Sequence, residues 1–143
     1  MIVSTPLEGV RSQVERIAKR KLGSSLVTVE VFETARGQEE GLYNVNVRFN
    51  GQDSWSPSST KESIEWQMQD VYQGLYEAKL DIRDIYCFAS LKVTDQYGKE
   101  SVMVVYKTSL GRATAEKINW DRKRSLDFGN IWDVDFVHRS FDQ

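Results

Sequence analysis

Residues 26–33, LVTVEVFE, and 42–49, LYNVNVRF, decide the fold. In the first, Val27, Val29 and Val31 alternate with Thr28 and Glu30. In the second, Tyr43, Val45, Val47 and Phe49 alternate with Asn44, Asn46 and Arg48. Successive side chains of a pleated strand point to opposite faces, so each segment reads as a strand with one dry and one wet face. Antiparallel sheets covered on one side carry this pattern. Residues 35–41, with Gly37 and Gly41, read as a loose hairpin loop between them.

On the N-terminal side, Thr5, Pro6, Leu7 and Glu8 spell a capping box with proline at the first helical position. Leu7, Val10, Val14, Ile17, Ala18 and Leu22 recur at helical spacing, and Gly23 supplies the stop. On the C-terminal side, residues 50–58 are rich in helix and strand breakers. A second helix is expected from Ser59, with Glu62 completing a capping box and Ile64, Met68, Val71, Leu75 and Ala78 as its apolar stripe. Gly74 inside that helix costs about 1 kcal/mol relative to alanine, which either a closely packed backbone or an irregularity in the helix would explain.

A third strand is expected over 82–94, with Ile85, Cys87, Ala89, Leu91 and Val93 opposed to Tyr86, Phe88, Ser90 and Lys92. After a turn at 95–99, a fourth strand follows over 101–108, with Val102, Val104 and Tyr106 opposed to Met103, Val105 and Lys107. Ser109 then opens a short third helix ending near Trp120. A polar stretch leads to a tail, 131–141, in which Trp132, Val134 and Phe136 alternate with Asp133 and Asp135. So apolar a tail is expected to pack back as a strand or extended arm.

The fold class is therefore α+β: an antiparallel sheet of four strands, or five with the tail, and helices mainly on one face. One domain spans 1–143, with one helix-strand-strand unit at 5–58, a second at 59–108, and a helix plus packed tail at 109–143. At a constant offset Val27 falls on Ile85, Val29 on Cys87 and Val45 on Met103, which allows a tandem repeat with slight sequence identity. The wet sheet face, bearing Asn44, Asn46, Arg48, Tyr86 and Phe88, is either a binding surface or covered by the third helix and tail.

Composition narrows the function. The 143 residues carry a net charge of −2, which disfavours a dedicated nucleic-acid binder. Basic residues gather on the first helix, at Arg11, Arg16, Lys19, Arg20 and Lys21, and acidic ones in the middle of the chain. With Cys87 the sole cysteine, no intramolecular disulfide can form. No apolar run approaches the ~18–20 residues of a membrane span. No signal peptide is read at the N-terminus, which points to the cytoplasm, or to an extracytoplasmic domain if the chain is cut from a longer protein.

No residue set spells catalysis. Asp133, Asp135 and His138 form D-x-D-x-x-H, but His138 falls off the strand phase of the aspartates, so neither metal nor cofactor is expected. Cys87 reads as core, and Ser54, Ser56, Ser58 and Ser59 as turn and cap residues. Glu39, Glu40, Glu62 and Glu65 offer carboxylates without a reason for a shifted pKa. The triplet Arg122, Lys123, Arg124 is too small for more than weak anion binding. Among the tryptophans, Trp66 reads as core or rim, and Trp55, in a polar loop, as an exposed anchor.

The expected function is a non-catalytic interaction domain, such as the soluble part of a bacterial envelope or surface protein, with a protein partner or self-association. Its candidate contacts are Trp55, Asn44, Asn46, Arg48, Tyr86 and Phe88. The alternatives are a small enzyme with a carboxylate site and a weak anionic-ligand or nucleic-acid binder.

Overall fold

A computed structural model describes residues 6–34 and 42–138. The chain forms α1 (Pro6–Leu22), β1 (Leu26–Glu33), β2 (Tyr43–Asn50), α2 (Pro57–Glu77), β3 (Ile82–Thr94), β4 (Glu100–Gly111), the single turn α3 (Arg112–Ala115) and β5 (Val134–Val137). Two short 3-10 segments, Trp120–Ser125 and Phe128–Asn130, lie between α3 and β5. Thr5 of the expected capping box and the loop 35–41 fall outside the described residues.

The five strands form one sheet in the order β1-β2-β3-β4-β5. The sheet is mixed: β2 pairs parallel with β3 and every other pair is antiparallel. This corrects the wholly antiparallel expectation, and its cause is the length of the connection. A hairpin turn reverses a strand, whereas the 21 residues of α2 span about 31 Å and carry the chain back to where β2 began. The helix-strand-strand order does occur twice, but that order alone is no sign of duplication.

The two main helices share one side. α1 lies over β1 and against α2, while α2 lies over β3 and β4. They close a single core over Val29, Val45, Val47, Phe49, Ile82, Ile85, Cys87, Ala89 and Leu110. Gly74 lies where α2 packs closely against α1, since a Cβ there would stand 3.1 Å from Ile17 Cγ2 and 2.8 Å from Lys21 Cε. The glycine thus earns its cost in helix propensity by letting the helices meet.

Two bulges shift the alternation read from the sequence. One lies between Leu26 and Thr28, so Leu26 faces Phe49 across the ladder while Val27 is displaced and 59% exposed. The other lies opposite Ala89 and Ser90, which pair with Tyr106 and Val104 and leave Val105 as the extra residue. Tyr106 and Thr108 consequently face the helices.

Other boundaries move as well. α2 begins two residues before Ser59, because Ser56 is the N-cap: its Oγ accepts from Ser59 N at 3.1 Å, and Pro57 takes the first helical position. The expected helix from Ser109 to Trp120 shrinks to one turn, since Ser109 to Gly111 still pair with β3. The tail does pack back: β5 adds to β4, with Val134 opposite Ser109 and Phe136 opposite Lys107.

Trp132 belongs to neither face of β5. It sits before the strand and turns into the helix layer, 5.3 Å from the Tyr72 ring and 4.8 Å from Phe128. Its Nε1 donates to Tyr106 Oη, whose hydroxyl donates to Glu65 Oε1 at 2.8 Å. The preceding segment is tied to α2: Lys123 Nζ reaches Asp70 Oδ1 at 2.7 Å, Arg124 reaches Gln69 Oε1 and Asp70, and its guanidinium lies 5.1 Å from the Trp66 ring. Residues 120–132 therefore cover the helix side, and among the described residues the other sheet face carries no second layer.

Candidate functional site

The cross-strand registers assemble the open face. Its central row runs Thr28, Arg48, Phe88, Lys107, Phe136 from β1 to β5. Beside it runs Glu30, Asn46, Tyr86, Ser109, Val134, and beyond that Phe32, Asn44, Asp84 and Gly111. Five of the six residues expected to bind from sequence, Asn44, Asn46, Arg48, Tyr86 and Phe88, thus share one surface. Each is partly exposed, as a sheet face without a second layer should be.

The centre of this surface is aromatic and cationic. The Arg48 guanidinium lies 4.2 Å from the Phe88 centroid, and Lys107 Nζ lies 5.2 Å from the same ring, reaching it from the strand on the other side. Contacts of this kind are worth about 0.5–1 kcal/mol each at exposed sites and hold the cations in place. Arg48 Nε also donates to Glu30 Oε1 at 3.1 Å. The apolar rim is large: Phe136 is 52% exposed and Phe32 46%, with Val134 comparable. One polar atom here lacks a match, because Asn44 Oδ1 is buried with no hydrogen-bond partner among the described residues.

Trp55 does not join them. It is 89% exposed, but it stands in the loop that carries the chain from β2 to the helix layer and holds no register position on the sheet. Sequence reasoning overlooked Lys107 and Phe136 as members of the face. The alternation in 131–141 carried the signal for Phe136, but only the pairing of β5 with β4 sets it beside Lys107 and Phe88.

The remaining candidates have structural employment. Cys87 is fully buried and its thiol is pushed up to about 12 by desolvation, so the nucleophilic thiolate is suppressed. Asp133 accepts from Gly111 N at 2.6 Å and Thr114 Oγ1 at 2.7 Å, which ties α3 to the start of β5. Among the described residues no three His, Cys, Asp or Glu converge as a metal site. Glu65 has a pKa raised by burial, against the opposing pull of the Tyr106 hydroxyl and Lys61. Its partner is a buried tyrosine rather than a nucleophile.

A concavity of about 520 Å³ lies between the end of α2 and residues 112–120, walled by Tyr76, Leu80, Ile118 and Trp120. Its polar groups serve the fold: Tyr76 Oη donates to Leu110 O, and Arg112 Nη2 donates to Leu80 O. Its carboxylates, Glu77 and Glu116, are exposed to solvent. No described helix is long and apolar enough to cross a membrane. The sequence matches no model of a protein family. Nor does it match any of the curated proteins.

Proposed function

We propose that this chain is a non-catalytic protein-interaction domain and that the open sheet face is its docking surface. The observation that carries this reading is the cation–aromatic row Arg48, Phe88, Lys107, Phe136, over which the described residues place no second layer. Exposed aromatic and arginine side chains are the commonest anchors of protein interfaces. A monomer has no folding reason to keep Phe136, Val134 and Phe32 in water together on one face.

The arrangement favours a protein over a nucleic acid. Bases stack on open aromatic rings, whereas Arg48 and Lys107 already lie over the Phe88 ring. The basic triplet is also largely spent, with Lys123 and Arg124 bound to Asp70, Gln69 and Gln73 of α2. A carboxylate enzyme is disfavoured because Glu65 is engaged by the hydroxyl of the buried Tyr106.

The test is capture by the immobilised domain from cells of its source, comparing wild type with Phe88→Ser and Phe136→Ser. Loss of a specific bound protein with both face variants supports the reading. A bound protein that both face variants retain and Trp55→Ser releases would contradict it.

A further inference from the structure

We infer that the partner on the open face is a second copy of this chain, packed sheet to sheet about a two-fold axis running across the strands. This inference rests on the docking-surface reading above and adds the identity of the occupant. It follows from how the face would match itself.

Consider an axis lying between the row Thr28, Arg48, Phe88, Lys107, Phe136 and the row Glu30, Asn46, Tyr86, Ser109, Val134. Each strand then lies over its own counterpart, running in the opposite direction, and the two rows exchange. Phe88 meets Tyr86 of the second copy and Phe136 meets Val134, so the apolar groups cover one another. Arg48 meets the polar, uncharged Asn46, and Lys107 lies over the position of Ser109, whose side chain is buried and carries no charge. Thr28 meets Glu30, which brings that carboxylate beside Arg48 on the neighbouring strand. No like charges oppose.

The competing arrangement fails on charge. An axis parallel to the strands through β3, the middle of the sheet, sets Arg48 of each copy against Lys107 of the other and buries Glu30 on Val134. Sliding that axis sideways relieves the repulsion but leaves an outer strand uncovered. The helices stand on the far side of each sheet, so nothing in the helix layer obstructs the crossing of two twisted sheets at about 30°.

The size of the contact sets its strength. At about 4.8 Å between strands and 6.8 Å between outward rows, the two exchanging rows of five strands, together with Asn44, Asp84 and Gly111 meeting Asn50, Ser90 and Val104 outside them, give a patch of roughly 500 Å² per copy. The total of about 1,000 Å² is at the lower end of specific interfaces, which implies a reversible dimer that forms with rising concentration.

Sedimentation-velocity ultracentrifugation of the full chain over a wide concentration range tests this. Wild type should shift from monomer to dimer. Phe136→Ser and Arg48→Glu should each raise the dissociation constant by about tenfold or more. Adding Glu30→Arg to Arg48→Glu should recover much of the loss, because the opposite charges again lie across the axis. Tyr97→Ser, in the exposed β3–β4 turn, should leave the equilibrium unchanged, and far-ultraviolet circular dichroism shows that each variant folds. A wild-type chain that stays monomeric overturns the second copy as occupant, while the capture comparison still decides the docking surface. A dimer indifferent to Phe136→Ser and Arg48→Glu overturns the geometry.

Discussion

The hydroxyls of Tyr72 and Thr108 offer a sharp test of how α2 sits on the sheet. Tyr72 Oη lies 2.8 Å from Thr108 Oγ1, and Thr108 Oγ1 donates to Met68 Sδ at 3.3 Å, so Tyr72 is the donor in the first contact. Both residues are fully buried. Thr108→Val keeps the shape and removes the acceptor, stranding the Tyr72 hydroxyl in the core. An unsatisfied buried hydroxyl costs about 1–3 kcal/mol. The Cys87 sulfur beside Tyr72 is a weak substitute acceptor and brings the expected loss to about 1–2 kcal/mol. Tyr72→Phe should cost less, since Thr108 keeps its contact with Met68. The double variant removes both partners and should cost clearly less than the two single losses added together. Urea denaturation followed by tryptophan fluorescence reads these losses. With m near 2 kcal/mol/M, the Thr108→Val midpoint should fall by about 0.5–1 M at unchanged slope. A Thr108→Val variant as stable as wild type, or strictly additive losses, would refute the placement of α2 over β4.

Further outcomes follow from the same packing. Gly74→Val drives side-chain atoms into Ile17 and should lower stability by about 1–3 kcal/mol in thermal melts, despite removing a helical glycine. Burial gives Glu65 a raised pKa, so the folded state holds its proton more tightly than the unfolded one. The contribution of Glu65 to stability is therefore full below the ordinary carboxylate pKa and is lost as pH rises through the raised value. In urea midpoints measured across that range, Glu65→Gln should remove this decline. Asp70→Ala removes the ion pairs of Lys123 and Arg124 and leaves them only Gln73 and Gln69; it should cost about 1 kcal/mol or less and speed amide hydrogen exchange over 120–125. Cys87 should react with a thiol reagent only as fast as the protein opens, because it is buried and its thiol is pushed up to about 12.

What could be read in the sequence follows the locality of each signal. The strand faces of 43–49 and 85–89 were legible because a period of two needs only neighbouring residues, and the wet face they define is the surface that stays open. Three features were hidden because they depend on partners distant in the chain. The parallel pairing of β2 and β3 arises from the return path of α2, not from any strand pattern. The bulges at Val27 and Val105 move side chains by one register step without an unusual residue to announce them. The end of β4 continues through Ser109 because β3 has hydrogen bonds to offer there, which overrides the capping preference of serine. The same limit applies to the site: Arg48 and Phe88 were visible singly, whereas Lys107 and Phe136 became neighbours only through pairing.

The central claim is that the Phe88 face is open in the monomer and closes on a partner, and hydroxyl-radical footprinting at two concentrations addresses it most directly. In dilute solution Phe136, Phe88 and Tyr86 should be oxidised while Phe128 and Trp132 stay protected. At high concentration the first group should lose reactivity and Trp55 should keep its own. Protection of Phe88 and Phe136 in dilute solution, or protection that grows at Trp55 and spares the sheet, would contradict the account.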